Sequence, residues 1–176
     1  MATTLSPTAR TTVTRHHERA VDDRADLFAV LGEALLCHVG IVRDGAPVVL
    51  PSVYAVDPDG PDEGGTLYLH GSVAAPWLVR SPLTQVCVTV TLLDGVVAAR
   101  SAFSHSMNYR SAVILGEARR VVDAAEREHA LTLIVDHVVP GRTATLRATS
   151  RKELAATTVL AVPLAEASLK VRTGGV

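Results

Sequence analysis

Aromatic residues are scarce in this chain. Tryptophan, tyrosine and phenylalanine make up 3% of its 176 residues, although 48% of the residues are apolar. The core must therefore be built mainly from valine, leucine and alanine, whose small side chains either pack tightly on themselves or leave room for a ligand. No apolar run reaches about 18 residues, and the first 20 residues lack the apolar stretch of a signal peptide. These absences argue against a membrane span and against export.

An excess of charge is missing too. The chain carries 17 Lys and Arg residues against 18 Asp and Glu residues, a net charge of −1, so it exerts no long-range attraction on nucleic acid or on an anionic membrane. Its two cysteines, Cys37 and Cys87, lie in apolar segments, and we expect buried thiols rather than a disulfide. These features predict a cytoplasmic protein with neither a nucleic-acid nor a membrane partner.

Two Asp-Gly dipeptides stand beside runs of β-forming residues, at Asp44-Gly45 and at Asp94-Gly95. Both residues of a two-residue hairpin turn must tolerate positive φ, as Asp and Gly do. We therefore predict two hairpins, the second leading into a strand over 96–103. Pro47 and Pro51 cannot donate to a strand ladder, so the strand that contains them should lie at an edge or a bulge.

Helix signals lie on both sides of this β-rich region. Apolar residues recur at helical intervals over 23–36, and Asp123 with Glu126 forms a capping-box pattern ahead of an apolar stripe that ends at Pro140-Gly141. A second capping pattern begins at Ser150. Ser72 is expected to cap a short helix that reaches about residue 80.

Together these signals predict a mainly β fold. Hairpin connections join antiparallel strands, and further strands are predicted over 109–122, 157–164 and 167–172. A closed or nearly closed antiparallel barrel with peripheral helices accounts for this order. Residues 1–20 are rich in Thr, Ser and Ala and are interpreted as a flexible N-terminal arm, which leaves residues 21–176 as one domain.

Two polar triplets are the candidate binding elements. In His70-Gly71-Ser72 a strand ends in an imidazole, followed by a glycine that lets a ligand approach the backbone and by a hydroxyl at a helix start. In Tyr109-Arg110-Ser111 a permanently charged guanidinium stands next to a hydroxyl, a combination that suits an anionic ligand. The alternatives are a strand-breaking loop for the first triplet, and a packed Tyr109 with a solvent-directed Arg110 for the second.

Several chemistries lack a motif. The chain has no glycine-rich phosphate loop between a strand and a helix and no G-x-S-x-G nucleophile elbow. His38 and His105 do not lie at metal-ligand spacing from a second His or Cys, and the adjacent pair His16-His17 does not face one way on a helix. We predict no metal site.

Four stretches resemble the pyridoxamine 5′-phosphate oxidase-like family of flavin-binding split barrels, and within it the branch of nitroimidazole-reductase-like proteins. They are HVGIVRDGAPVVLPSVYAVD (38–57), LYLHGSVAAPWL (67–78), QVCVTVTLLDG (85–95) and MNYRSAVILGEARRV (107–121). The resemblance implies a six-stranded Greek-key barrel that works as a homodimer with FMN at the subunit interface. It implies that the flavin contacts Ser52, Val53, Tyr54, His70, Gly71, Ser72, Tyr109, Arg110 and Ser111.

One departure from the family pattern concerns the phosphate. Relatives commonly carry Arg or Lys soon after the His-Gly segment, whereas residues 73–77 here read VAAPW and the next base is Arg80. The phosphate needs cationic partners, so either Arg80 or Arg110 would hold it, or else the site binds FMN weakly or holds a different cofactor. The predicted function is an FMN-dependent oxidoreductase acting on a small molecule, with His70 or His105 as candidate proton donor and His70 as the candidate catalytic residue. The alternatives are a non-catalytic carrier or sensor of flavin or haem on the same fold, a dimeric scaffold with a vestigial pocket, and a deazaflavin in place of FMN.

Overall fold

The structure is a computed structural model of the chain, and it describes residues 4–5, 8–75 and 83–175. Its helices are α1 (Arg24–Glu33), α2 (Ala124–Val138) and α3 (Arg151–Ala156). Its strands are β1 (Ala20–Val21), β2 (Leu36–Arg43), β3 (Ala46–Asp57), β4 (Thr66–Ser72), β5 (Leu83–Val97), β6 (Ser106–Arg120), β7 (Thr157–Pro163) and β8 (Ala167–Arg172). None of the helices in the described ranges is both long and apolar enough to span a membrane.

Strands β2 to β7 close into a six-stranded antiparallel barrel. The order of neighbours is β6, β5, β2, β3, β4 and β7, and β7 pairs back onto β6. Strand β6 is shared between two partners on its second edge: residues 109–114 pair with β8, whereas Arg119 and Arg120 pair with β7. The barrel therefore splits along β6, and β8 with β1 extends the sheet beyond the closed part. The predicted mainly β split barrel is confirmed.

The first predicted hairpin is confirmed and the second is wrong. Asp44 and Gly45 adopt φ of 51° and 79° and join β2 to β3. Asp94 and Gly95, in contrast, lie inside β5, where the register against β6 shifts between Leu93 and Gly95. Neither residue has a positive φ. The dipeptide thus forms a β-bulge, and β5 turns back into β6 only after residue 97.

The predicted edge position of the prolines is confirmed. Over residues 46–53, which include Pro47 and Pro51, β3 pairs with β2 alone among the described residues. Its pairing with β4 starts only at Tyr54. One edge of this half of β3 therefore carries no ladder in the described chain, and a missing N–H is tolerated there.

The helices begin where capping residues place them. Asp123 accepts a hydrogen bond from the backbone N–H of Glu126 (2.8 Å), and Asp23 caps α1 in the same way through Ala25. Ser150 and Glu153 form the complete predicted capping box at α3. The short helix predicted from Ser72 to about residue 80 falls mainly on residues outside the described ranges.

Two hydrophobic clusters hold the fold together. The larger fills the barrel beneath α1 and is dominated by Val and Leu, as the composition predicts. The smaller lies between α2 and the outer surface of β3, β4 and β7, where Ala55, Tyr68 and Val159 pack against Ala130 and Ile134 of the helix. Burial of apolar area on both surfaces makes this wall of the barrel the most enclosed part of the sheet.

The described part of the N-terminal segment lies against the sheet. Leu5 is 6% exposed and its backbone N–H donates to Asp22 O, Thr11 is 5% exposed, and β1 pairs with β8. Glu166 accepts hydrogen bonds from the side chains of both Thr8 and Arg10. Residues 8–21 therefore form a strap across β8. The flexibility expected for residues 1–20 stays a prediction about motion in solution.

Candidate functional site

The first part of the candidate site is an opening between β3 and β4. The ladder that joins these strands ends at the pair Tyr54–Leu69, whereas β4 continues to pair with β7 as far as Ser72–Thr157. Beyond Tyr54 no ladder joins β3 to β4 among the described residues, and by continuation of the register the predicted residues Ser52 and Val53 lie across from Gly71 and His70. Backbone N–H and C=O groups on this edge of β3 are available to a ligand.

His70 stands at the edge of this opening. It lies opposite the fully buried Val159 of β7 and, by strand alternation, on the same side of the sheet as Tyr68, under α2. Its Nδ1 is buried and has no hydrogen-bond partner in the described structure. Burial lowers the pKa of His70, because an apolar surrounding disfavours the imidazolium. The side chain is therefore a neutral imidazole at neutral pH, and its Nδ1 has no hydrogen-bond partner in the described structure.

Two more buried polar atoms of the described chain lack partners, Oγ1 of Thr158 and Nε of Arg127. Thr158 pairs with Gly71 and, by strand alternation, lies with Leu160 on the interior side of β7, opposite to His70 and Val159. Arg127 precedes Ala130 by one helical turn and so belongs to the face of α2 that covers the sheet. Buried polar groups in folded proteins are normally paired. The unpaired Nδ1 of His70 at the end of β4 therefore fits a bound cofactor with a polar edge on the α2 side of the sheet.

Tyr54 is placed differently from its neighbours. Its side chain is fully buried inside the barrel, and its hydroxyl donates to Leu31 O (2.7 Å). Desolvation by burial raises the pKa of this phenol far above its ordinary value. Of the predicted contact residues on β3, Tyr54 therefore has only its backbone to offer to a ligand outside the barrel. Ser52 is half-buried, and its hydroxyl donates to Val53 O (2.9 Å).

The second part of the candidate site is on β6, and there the three predicted residues do not face one way. Side chains alternate along a strand, so Tyr109 and Ser111 lie on the outer surface of the sheet and Arg110 lies on the opposite one. The cross-strand partners confirm the alternation, since Arg110 pairs with Leu92 and Val171, which pack against the barrel core. A single ligand cannot be contacted by all three side chains of this strand.

The guanidinium of Arg110 is held by two carboxylates. Its Nη1 and Nη2 donate to Glu33 at 2.5 and 2.9 Å, and its Nε and Nη2 donate to Asp94 at 3.1 and 2.8 Å. Hydrogen bonds from Arg110 lower the pKa of both carboxyl groups, which keeps them ionised. Arg110 thus joins the end of α1 to the β5 bulge.

The outer surface of β5, β6 and β8 carries a polar row that the sequence reasoning did not identify. Ser111 lies between its cross-strand partners Thr91 and Lys170, so two hydroxyls and an ammonium line up on one surface. Successive side chains of a strand point to opposite surfaces of the sheet. This alternation in β6 and β8 would have indicated that Lys170, rather than Arg110, lies on the same surface as Ser111. Lys170 and Arg172 both lie on this surface; Arg172 pairs with Tyr109 and its guanidinium donates to Asn108 Oδ1, whereas Lys170 lies beside Ser111.

The two parts of the site lie far apart within one chain. The opening is formed by β3 and β4, and in the barrel order β4 is separated from β6 by β7 on one side and by three strands on the other. Arg80, the other candidate for the phosphate, lies outside the described residues. Among the described residues no group of three His, Cys, Asp or Glu side chains is arranged to hold a metal ion.

A six-stranded antiparallel barrel split along β6 defines the split-barrel class. Residues 23–171 match the family described as pyridoxamine 5′-phosphate oxidase, and the chain belongs to that family. This confirms the resemblance drawn from the sequence. No curated protein matches the chain.

Solved structures extend the comparison. The flavocytochrome Anf3 from Azotobacter vinelandii is 38% identical, with 97% of this chain and 77% of that chain covered and a TM-score of 0.86. An FAD and haem binding protein from Mycobacterium smegmatis is 40% identical, with 89% and 75% covered and a TM-score of 0.80. A protein named for 5-nitroimidazole antibiotic resistance, from Bacteroides thetaiotaomicron VPI-5482, is 27% identical, with 86% of each chain covered and a TM-score of 0.68.

Proposed function

We propose that this chain is a flavin-dependent oxidoreductase that works as a homodimer on a small-molecule substrate. The observation that carries the proposal is the open edge of β3 beside His70, whose buried Nδ1 has no partner in the described chain. The family and the named cofactors of two relatives near 40% identity support a flavin as the missing ligand. A bound flavin supplies the hydride chemistry.

The chain's own groups would bind and orient that flavin. Free backbone groups of β3 around Ser52 and Val53 would hydrogen-bond the polar edge of the ring, and Gly71 would allow it to approach β4 closely. His70, kept neutral by burial, would donate or accept one hydrogen bond at the edge of the ring; the proton-donor role expected from the sequence needs the imidazolium, which burial disfavours. The apolar wall formed by α2 would exclude water from that side.

A second copy of the chain would complete the site. The outer surface of β2, β3 and β5 is apolar for a solvent-facing sheet: Val42 is 74% exposed, Val49 62% and Leu93 62%. Val42 and Val49, together with Gly40, Cys87 and Leu115, border an apolar groove of about 320 Å³. Exposed apolar patches of this kind mark interaction sites in soluble proteins. Dimerisation through this surface would bring Tyr109 and Ser111 of one subunit toward the β3–β4 opening of the other.

The nucleotide form of the flavin is part of the proposal. The resemblance implies FMN, whereas the Mycobacterium smegmatis relative is named for FAD. We favour FAD, because that relative is 40% identical to this chain. A deazaflavin would give a different absorption spectrum from either flavin.

Purification of the full-length chain tests the proposal. We expect a yellow protein that elutes as a dimer and releases FAD on denaturation, identified by chromatography against FMN and FAD standards. Reduction of the bound flavin by a nicotinamide nucleotide, followed by reoxidation on addition of an electron acceptor such as a nitroimidazole, would establish oxidoreductase activity. Colourless protein that binds neither FMN nor FAD would overturn the proposal.

Haem binding is a second candidate function, which His70 favours specifically. A haem ligand must be a neutral imidazole, and burial keeps His70 in that form. Both of the relatives near 40% identity are named as haem or cytochrome proteins. A haem titration should give a Soret band that His70→Ala removes and His105→Ala leaves intact. A Soret band that survives His70→Ala would assign the ligand elsewhere.

A further inference from the structure

The strap formed by residues 8–21 makes one wall of a groove on the outer surface of β6 and β8. The strap is fixed at both ends of this wall: Arg10 donates to Glu166, and Lys170 Nζ donates to the backbone oxygen of Arg15 (3.1 Å). Between these points Thr11 is buried. The groove encloses about 350 Å³ and has Ser111 and Val113 of β6 on its floor.

The lining of this groove is cationic. Arg10, Arg15 and Lys170 all border it, together with hydroxyl groups from Thr14, Ser111 and Ser168, and no Asp or Glu is among its lining residues. Arg10 is already paired with Glu166. Arg15 and Lys170 have no carboxylate partner among the described residues. The groove therefore offers two cations without a carboxylate partner among the described residues and several hydroxyl donors, the set of groups that binds a phosphate or a diphosphate.

We infer that this groove binds the phosphate-bearing end of the proposed flavin whose ring lies at the β3–β4 opening of the partner subunit, with Lys170 and Arg15 as its cationic partners and Ser111 as a hydroxyl donor. The inference rests on the proposed function, and it identifies cations that can replace those absent from residues 73–77. It gives Ser111 its predicted role in ligand binding and assigns the charge to Lys170, because Arg110 lies on the other surface of β6 and is held by Glu33 and Asp94.

The inference also gives the N-terminal segment a function. Arg15 reaches the groove only because the strap crosses β8, and the strap is held there by the contacts of Thr8 and Arg10 with Glu166. A ligand phosphate between Arg15 and Lys170 would bridge the strap to the sheet. Ligand binding should therefore protect the strap from proteolysis as well as stabilise the barrel.

The test compares three ligands that differ only in their charged end. Dissociation constants for riboflavin, FMN and FAD are measured by quenching of flavin fluorescence on the cofactor-stripped full-length chain and on two variants, Lys170→Ala and Arg15→Ala. We expect each variant to weaken binding of FMN and FAD by about tenfold while changing riboflavin binding little, because riboflavin lacks the phosphate. Lys170→Arg should retain most of the affinity.

Lys152→Ala is the matched control, since Lys152 is the other lysine of the chain and lies exposed on α3. The outcomes separate the two proposals. If the wild-type chain binds none of the three flavins, the proposed function fails and the groove loses its ligand. If it binds them and Lys170→Ala changes all three affinities equally, or none, the flavin proposal stands and the groove assignment is overturned. Thermal unfolding of each variant checks that the barrel is intact.

Discussion

Arg110 and Asp94 form a two-point pair across β5 and β6. Nε of Arg110 donates to Oδ2 at 3.1 Å and Nη2 donates to Oδ1 at 2.8 Å, while Glu33 occupies the remaining edge of the guanidinium. Asp94 is the residue at which the register of β5 shifts. The pair therefore fixes the bulge to β6. It also occupies the guanidinium of Arg110, which would otherwise be available to an anionic ligand.

Replacing this arginine should affect folding more than binding. Arg110→Met leaves two carboxylates close to each other without their cation, so we expect a lower melting temperature. Flavin affinity should stay within about twofold of wild type, since groups without shared partners act independently. Calorimetry and flavin titration on the same preparation check both. A large loss of flavin affinity at an unchanged melting temperature would instead indicate that Arg110 binds the flavin phosphate.

Tyr54 should prove to be a core residue. Tyr54→Phe removes the hydrogen bond to Leu31 O without creating a cavity, and we expect it to lower the free energy of unfolding by about 1 kcal/mol. The cofactor content of the purified protein should not change. Urea unfolding monitored by circular dichroism measures the first quantity, and flavin absorbance per chain measures the second. Loss of flavin with unaltered stability would contradict this assignment.

Arg119 connects α2 to the loop before β4. Its guanidinium donates to Asp62 (2.8 and 2.9 Å) and to Glu126 (2.5 and 3.1 Å), and all three side chains are largely shielded from water. We expect Arg119→Met to lower the free energy of unfolding by about 2 kcal/mol, because two partly buried carboxylates lose their partner. Tyr68, whose hydroxyl also contacts Glu126, keeps its place in the α2 cluster.

The same cluster should control stability in acid. Burial alone raises the pKa of Asp62, but hydrogen bonds from Arg119 and Thr66 outweigh it, so the pKa of Asp62 lies below its ordinary value. A carboxyl group whose pKa is lower in the folded chain than in the unfolded chain stabilises the fold at pH values above its unfolded pKa of about 3.9. This stabilisation is lost as the pH falls through the folded-state pKa. Arg119→Met should therefore raise the pH at which the protein unfolds in acid. An unchanged acid midpoint would exclude this role.

His70 should make the stability of the fold depend on pH in a second range, at higher pH than Asp62 does. Its folded-state pKa is lowered by burial, so the unfolded chain takes up a proton at this residue as the pH drops below about 6.5, while the folded chain resists it. Stability should fall between about pH 6.5 and the lower folded pKa and then level off. His70→Gln should remove this slope in urea unfolding measured as a function of pH. The control is His129→Gln, because that imidazole is half-exposed and hydrogen-bonded to Asp57.

The two Asp-Gly dipeptides show how far local sequence rules reach. The Asp44-Gly45 dipeptide correctly predicted a turn, because the strands on each side end there. At Asp94-Gly95 the chemistry was the same, yet the cross-strand pairing of β5 with β6 continues past the dipeptide from both sides. Long-range pairing outweighed turn propensity, and a single sequence does not contain that information.

The amino-acid sequence by itself determined the class of fold and the helix starts at Asp123 and Ser150, because capping, alternation and proline placement act over a few residues. The segments predicted to carry the site stay a prediction. It also determined the family, because the four stretches that resemble the family are contiguous in the sequence. Only the tertiary structure decided which side chains share a surface: Arg110 turns toward Glu33 while Ser111 meets Lys170. That outcome depends on which strands pair and in what register, and it is set by packing across the whole barrel.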